Sequence, residues 1–154
     1  MTSRTFDQAK TEFVARAKNF ANADPFEIDR ATAPLMEHED PRSIGILISS
    51  LDDAAIDDAG MFSIIHAAES FDDETYIDEL IAALPQITVK SPKWTSIALM
   101  RILNSESTRD TLVRKLRYAG TSARDSARWL CEKINERSPN FLSITIPVLL
   151  AAKS

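Results

Sequence analysis

The sequence predicts an all-α protein, and three observations lead to that prediction. Only three glycines occur in 154 residues, and no Asn-Gly or Asp-Gly pair marks a β-hairpin. Apolar residues recur at intervals of three and four, the period of an amphipathic helix. Four prolines directly follow a residue whose side chain can cap a helix, at Asp24-Pro25, Asp40-Pro41, Ser91-Pro92 and Ser138-Pro139. We therefore expect a single α-helical domain over residues 1–154, with about eight or nine short helices in antiparallel pairs.

These signals place the helices in chain order. The capped prolines begin four helices, which we expect at Pro25–Ala33, Pro41–Leu51, Pro92–Leu103 and Pro139–Ala152. The apolar stripe of Tyr76, Ile77, Leu80, Ile81 and Leu84 predicts a helix over Asp73–Leu84 that carries its acids outward. Leu112 and Leu116 mark the buried side of a helix over Ser107–Tyr118. Apolar periodicity predicts the remaining helices at Arg4–Asn22, Met61–Ser70 and Ser122–Glu136.

A faint internal repeat bears on the architecture. The segment Ser91–Ile97 aligns with Ser138–Ile144 at an offset of 47 residues. Periods of about 40–47 residues are typical of HEAT-like helical pairs. Recurrence of a helix-start pattern explains the same match, so a short HEAT-like solenoid and an irregular helical bundle both stay open.

The distribution of charge is more informative than the net charge of −5. Residues 90–154 hold twelve Lys/Arg and five Asp/Glu, whereas residues 43–89 hold no Lys or Arg at all. That 47-residue segment carries ten acids: Asp52, Asp53, Asp57, Asp58, Glu69, Asp72, Asp73, Glu74, Asp78 and Glu79. Acids without a local counter-charge repel one another, so something has to compensate.

Two interpretations of the acidic segment remain. In the first, some acids cap helices or favour helix N termini, and the basic C-terminal segment packs beside the others. In the second, the acids form a surface for a cationic protein. A nuclease is such a protein, because it must attract phosphates with Lys and Arg, and an inhibitor can occupy the same surface with carboxylates.

The sequence contains few residues of the kinds that enzymes use for catalysis. The only histidines are His38, which fits a helix end better than a weak surface metal site, and His66, which we read as a partly buried packing residue. The single Cys131 is expected to be a buried, inert thiol in a reducing compartment. No phosphate-binding glycine motif, HExxH, CxxC or calcium loop occurs. We expect no enzyme activity, no cofactor and no metal.

The aromatic and basic residues of the C-terminal half have ordinary structural interpretations. Trp94 and Trp129 each lie beside an apolar residue and are expected to anchor the core. Four cations provide a possible basic groove for nucleic acid: Lys115, Arg117, Arg124 and Arg128. Since the sequence pI is about 5.0, we expect no nucleic-acid partner. Nor do we expect a membrane partner or secretion, because the longest apolar stretch is interrupted by Thr145 and Pro147.

The stretch from Trp94 to Asn104, with Trp94 followed by Arg101-Ile102-Leu103-Asn104 and then by Arg109 and Leu112, resembles a known family. It is similar to the small all-α immunity proteins of bacterial polymorphic toxin systems, including contact-dependent growth inhibition, and the best-matching part runs over residues 62–116. The resemblance implies a cytoplasmic protein that binds the C-terminal toxin domain of its own lineage. It implies no small-molecule substrate.

Composition and resemblance together give one hypothesis for function. We expect an immunity protein that neutralises a toxin, a nuclease, through the ten acids of residues 52–79, with Asp72, Asp73, Glu74 and Asp78 as the main contacts. A helical adaptor for an endogenous basic protein and a nucleic-acid-binding helical repeat are the alternatives. The sequence leaves the oligomeric state open.

Overall fold

The computed structural model describes residues 4–153, and within them the chain is helical with no strand. Nine α-helices occur in this range: α1 (Phe6–Ala17), α2 (Pro25–Met36), α3 (Arg42–Ser49), α4 (Asp58–Glu69), α5 (Asp73–Lys90), α6 (Pro92–Leu103), α7 (Glu106–Leu116), α8 (Thr121–Arg137) and α9 (Leu142–Ala152). Short 3₁₀ turns precede α2 and α9, at Phe20–Asn22 and Pro139–Phe141. The all-α prediction is confirmed.

Side-chain hydrogen bonds cap several helices; the cap at Asp24 was predicted, the cap at Thr5 was not, and the predicted Ser91 makes no side-chain cap bond to α6. Thr5 Oγ1 accepts a hydrogen bond from Gln8 N at 3.1 Å, and Gln8 Oε1 accepts one from Thr5 N at 2.9 Å, a reciprocal capping box. Asp24 Oδ1 accepts from Glu27 N at 2.9 Å at the start of α2. Asp40 Oδ1 accepts from Arg42 N, the first amide of α3, at 2.9 Å, although the N-cap residue of this helix is Pro41. These carboxylates satisfy amides that have no partner within their helix.

Two helices continue through a proline at which we predicted them to end. We expected ends at Ala33 and Leu84, but α2 contains Pro34 and runs to Met36, and α5 contains Pro85 and runs to Lys90. An interior proline costs a helix about 3 kcal/mol. Beyond each proline the added turn buries apolar surface, with Leu35 0% and Ile87 2% exposed. That burial is the physical reason for the longer helices.

The expected helices at the two ends of the chain are also interrupted. The helix predicted over Arg4–Asn22 ends at Ala17, and the chain re-forms a single 3₁₀ turn at Phe20–Asn22. At the other end, Ser138 Oγ accepts from Asn140 N at 3.2 Å and begins a 3₁₀ turn, with α9 following only at Leu142. A 3₁₀ turn is a common way to adjust a helix terminus.

The chain divides into two compact units, Met1–Glu79 and Leu80–Ser154, and the division falls within α5. In the N-terminal unit, α2 packs against α1 and α4, and α3 packs against α4. Its fully buried side chains include Phe13, Ile28, Leu35, Ile44, Leu47 and Ile64. Each unit is helical. The prediction of a single domain over residues 1–154 stays a prediction, and so does the prediction of a HEAT-like repeat.

The C-terminal unit is built around α9 and α6. Helix α9 packs against α7 and α8, and α6 packs against α7 and α8. The fully buried Trp94 confirms one predicted anchor of the core, and Leu99, Leu112, Leu130 and Val148 are buried in the same unit. No helix within residues 4–153 is both long and apolar enough to cross a bilayer.

Candidate functional site

All ten predicted acids lie in the N-terminal unit, and helix α4 separates them into two clusters. The α3–α4 cluster, between the end of α3 and the start of α4, consists of Asp52, Asp53, Asp57 and Asp58. The α4–α5 cluster, at the end of α4 and the start of α5, consists of Glu69, Asp72, Asp73, Glu74, Asp78 and Glu79. Asp58 begins α4 and Glu69 ends it, so about 16 Å of helix axis separates them at 1.5 Å per residue.

The α3–α4 cluster works partly as local structure. Asp52 Oδ1 accepts a hydrogen bond from Ala54 N at 2.9 Å in the turn after α3. Asp57 Oδ1 accepts from Ala59 N at 2.9 Å and caps α4. Both side chains are half-buried, whereas Asp58 is exposed in the first turn of α4. This cluster therefore offers a partner less carboxylate surface than its composition suggests.

The α4–α5 cluster is more accessible. Asp72 caps α5, because its carboxylate accepts from Thr75 N at 3.1 Å and from Thr75 Oγ1 at 2.8 Å. Asp73, Glu74 and Asp78 are exposed near the start of α5, and the helix dipole favours the charges of Asp73 and Glu74 in its first turn. The other two members, Glu69 and Glu79, are half-buried.

Helix capping and helix dipoles account for some of these acids, but they do not account for the net charge of the N-terminal unit. Six of the ten take part in further polar or electrostatic contacts within the protein: Asp53, Asp58, Glu69, Asp72, Glu74 and Asp78. Even so, the N-terminal unit has six Lys/Arg and 18 Asp/Glu, a net charge of −12. The C-terminal unit has twelve Lys/Arg and five Asp/Glu, a net charge of +7. The two units therefore carry net charges of opposite sign.

The cysteine and the two histidines are the residues that catalysis or metal binding would be expected to use. Cys131 is 0% exposed, and burial raises the pKa of its thiol from 9.0 to about 12, as expected for an inert residue. The prediction for His66 is wrong: its side chain is exposed, because Ile64, Ile65 and Ala68 take the buried face of α4. His38 is half-buried, with its ring edge-on to Phe6 at a centroid distance of 5.8 Å. Among residues 4–153, no three His, Cys, Asp or Glu side chains group as metal ligands would.

The prediction that Trp129 anchors the core is also wrong, and its true position reveals a groove. Trp129 is 41% exposed and lies in an open groove of about 430 Å³ between α6 and α8. The groove carries four cations: Lys93, Arg101, Lys133 and Arg137. The spacing of Trp129, Lys133 and Arg137 at every fourth residue of α8 is the sequence signal that would have found this face.

The basic residues that the sequence suggested lie elsewhere. Lys115, Arg117, Arg124 and Arg128 do not line the groove. Arg117 is exposed at the C-cap of α7, and Arg128 Nη2 pairs with Asp125 Oδ1 at 2.8 Å. Arg124 is half-buried, and its Nε has no hydrogen-bond acceptor within the described residues. The sequence therefore located the positive charge but not the surface it lines.

The chain was compared with known protein families, curated proteins and solved structures. The family model for immunity protein 30 matches residues 18–112, more than half of the chain. The match contains all ten acids and the α6 side of the groove, while α8 lies beyond it. No curated protein and no solved structure matches the chain.

The match confirms the family resemblance; it covers the predicted range of residues 62–116 as far as residue 112 and extends it towards the N terminus. Immunity proteins neutralise toxins, and they do so in general by binding rather than by catalysis. A cognate toxin protein is thus the partner that this assignment implies. The chain belongs to the immunity protein 30 family.

Proposed function

We propose that this immunity protein neutralises a cationic toxin domain, a nuclease, by covering its active site or substrate groove with the α4–α5 cluster. The observation that carries the proposal is the net charge of −12 on the N-terminal unit, with no Lys or Arg from residue 43 to its end. A nuclease collects Lys and Arg where it holds phosphates. The same cations attract the carboxylates of an inhibitor.

The exposed acids of α5 are the main contacts in this proposal. Asp73, Glu74 and Asp78 lie within two turns of one helix, so a single rigid element presents their charge. The half-buried acids of both clusters strengthen the field around them. Complementary fields raise association rates towards roughly 10⁸–10⁹ M⁻¹s⁻¹ at low salt. Rapid capture matters for an inhibitor that protects the producing cell, and we place this capture in the cytoplasm in a contact-dependent growth inhibition system.

The first experiment is to capture the partner with the tagged full-length chain from the source bacterium, with washes at moderate salt and identification by mass spectrometry. The expected result is a stoichiometric basic toxin fragment that degrades nucleic acid and loses that activity when the immunity protein is added. A toxin without nuclease activity would overturn the nuclease assignment. Recovery of an endogenous basic protein alone would favour the helical adaptor instead.

A charge-matched pair of variants then tests the acidic interface. The interface variant carries Asp72→Asn, Asp73→Asn, Glu74→Gln and Asp78→Asn, and the asparagine at position 72 keeps a side chain that caps helices well. The control variant removes four exposed acids of the same unit outside the clusters: Asp7→Asn, Glu27→Gln, Asp29→Asn and Glu37→Gln.

Calorimetry should separate the two variants. Losing a desolvated charge pair costs about 2–5 kcal/mol, so the interface variant should bind the toxin at least about 30-fold more weakly. The control variant should lose less than about threefold, because uniform loss of charge mainly changes the association rate. Equal affinity of the two variants would exclude the α4–α5 cluster as the interface.

A further inference from the structure

We propose that the groove between α6 and α8 is a second toxin-binding site, which takes an acidic peptide segment with an apolar side chain between its carboxylates. This inference rests on the partner being a toxin protein, as in the proposed function, but not on the acidic clusters. The groove lies wholly within the C-terminal unit. Its volume of about 430 Å³ is within the range of about 300–1,000 Å³ that is usual for ligand pockets.

Two helical stripes face each other across the groove. Lys93 and Arg101 lie on α6, eight residues apart, and Lys133 and Arg137 lie on α8, one turn apart. No acid is among the residues that line the groove, although Lys93 and Arg101 take part in further polar or electrostatic contacts within the protein. On α8, Lys133 Nζ pairs with Glu136 Oε2 at 3.5 Å, and because both side chains are solvent-exposed this ion pair holds the cation weakly.

The floor of the groove is apolar. Ile97, Met100 and Ile134 line it, and the exposed face of Trp129 forms part of its wall. Lys133 Nζ lies 5.5 Å from the centre of the Trp129 ring, so the aromatic surface and the positive charge belong to one site. A side chain that buries the indole gains apolar contact, while flanking carboxylates reach Lys133 and Arg137 of α8.

A peptide fits this site better than a nucleic-acid strand does. Binding of single-stranded nucleic acid uses several aromatic platforms on which successive bases stack. Of the two aromatic residues that line the groove, Trp129 is exposed, whereas Phe141 is half-buried and so offers less surface for stacking. Flexible Met and aliphatic Ile side chains adapt to the CH₂ and CH₃ groups of a peptide side chain.

Fluorine NMR tests occupancy of the groove directly. The full-length chain contains two tryptophans, so 5-fluorotryptophan labelling gives two resonances, and Trp129→Phe assigns them. Unlabelled toxin domain captured as described above is then added to saturation. The Trp129 resonance should shift or broaden, and that of the fully buried Trp94 should not. A Trp129 resonance unchanged by bound toxin would overturn the proposal.

A second charge-matched pair supplies the energetic test. The groove variant, Lys133→Glu with Arg137→Glu, should weaken toxin binding at least about 30-fold. The control, Arg117→Glu with Lys153→Glu, makes the same charge change at exposed residues of the same unit that do not line the groove, and it should weaken binding less than about threefold. Circular dichroism melts verify that both variants fold. Equal affinities would exclude the groove.

The outcomes separate this site from the acidic interface. If the groove variant loses binding and the Asp72/Asp73/Glu74/Asp78 variant binds normally, the groove is retained as a site and the α4–α5 cluster is excluded. If the Asp72/Asp73/Glu74/Asp78 variant loses binding and the groove variant binds normally, only the groove is excluded. A fluorescein-labelled single-stranded 20-mer DNA supplies the remaining test at 150 mM salt. If it binds the wild type and not the groove variant, the groove is a nucleic-acid site and the peptide proposal is wrong.

Discussion

Gly60 in α4 lies so close to Ile28 in α2 that a Cβ at position 60 would be 2.5 Å from Ile28 Cδ1. Real side chains do not approach to this distance, and Ile28 is 0% exposed, so its terminal methyl has little room to move. The absence of a side chain at Gly60 therefore sets how closely α2 and α4 pack in the N-terminal unit.

Gly60→Ala should destabilise the protein. Alanine gains up to about 1 kcal/mol of helix propensity over glycine, but overpacking of a core costs about 1–3 kcal/mol. We expect a net loss of about 1–2 kcal/mol in the free energy of unfolding, measured by urea denaturation. In an Ile28→Val background, which removes Cδ1, the same substitution should cost less than about 0.5 kcal/mol. An equal cost in both backgrounds would show that Ile28 is not the obstacle.

Gly45 is the matched control for this substitution. It lies inside α3, and the nearest atom to a Cβ built there is Glu79 Oε2 at 3.9 Å, an ordinary contact. Gly45→Ala should therefore stabilise the protein by about 0.5–1 kcal/mol, through helix propensity alone. Destabilisation at both glycines would mean that the methyl group itself, rather than the approach of α2, causes the loss.

The sequence predicted the helices well and some of their ends poorly. Apolar periodicity and capped prolines predicted α6 over Pro92–Leu103, which is where the structure has it. Pro34 and Pro85 misled the prediction because a local rule cannot weigh the apolar surface that the next turn buries. Trp129 misled it for a different reason. The buried stripe of α8 passes through Ala127, Leu130 and Ile134, and Trp129 lies outside it.

The sequence predicts which segment of the chain is acidic, but it does not predict which of the acids share a surface. A count of charges identifies the segment 43–89. It cannot show that Asp52 and Asp57 are used in a turn and a cap, or that α4 separates the acids into two clusters. The groove is harder still, since its cations come from helices about 30 residues apart in sequence and meet only through packing of α6 against α8.

The thiol of Cys131 should make stability fall at high pH. Burial raises its pKa from 9.0 to about 12, so above pH 9 the unfolded chain ionises this thiol while the folded chain does not. Its contribution to the free energy of unfolding is complete below pH 9 and should shrink by about 2 kcal/mol by pH 10.5. Guanidinium denaturation at several pH values measures this loss. The free energy of unfolding of the Cys131→Ala variant should fall by about 2 kcal/mol less over the same pH range. If the free energies of the two proteins fall in parallel, the thiol does not cause the loss of stability.

The Asp40 carboxylate should titrate below its ordinary pKa. Its hydrogen bond with the Arg42 side chain, at 2.6 Å from Nη2 to Oδ2, lowers the pKa of Asp40 from 3.8, and the bond from the Arg42 amide lowers it further. The stabilisation is therefore present above pH 3.8 and is lost as pH falls through the lower folded pKa. Carbon-detected NMR of the Asp40 carboxyl should show the lowered midpoint. Arg42→Gln should raise that midpoint and Arg30→Gln should not; no change in either would remove Arg42 as the cause.

A buried hydroxyl forms a side-chain hydrogen bond between α9 and α8 in the C-terminal unit. Thr145 is 0% exposed, and its Oγ1 donates to Asn135 Oδ1 at 2.7 Å. Thr145→Val keeps the shape of the side chain but leaves the half-buried Asn135 amide without this donor. Loss of one partner of a buried hydrogen bond costs about 1–3 kcal/mol, so we expect the free energy of unfolding to fall by that amount.

Thr111→Val is the control that isolates the tertiary bond. Within residues 4–153, Thr111 Oγ1 donates to Ser107 O alone, one turn back in α7, at 3.0 Å, and that carbonyl keeps its place in the helix without the hydroxyl. Its replacement should therefore change the free energy of unfolding by less than about 0.5 kcal/mol. Replacing Asn135 with Leu in the Thr145→Val protein removes the unsatisfied amide and should recover part of the lost stability. If the double variant recovers nothing, the cost of Thr145→Val comes from packing, and the hydroxyl does not hold α9 against α8.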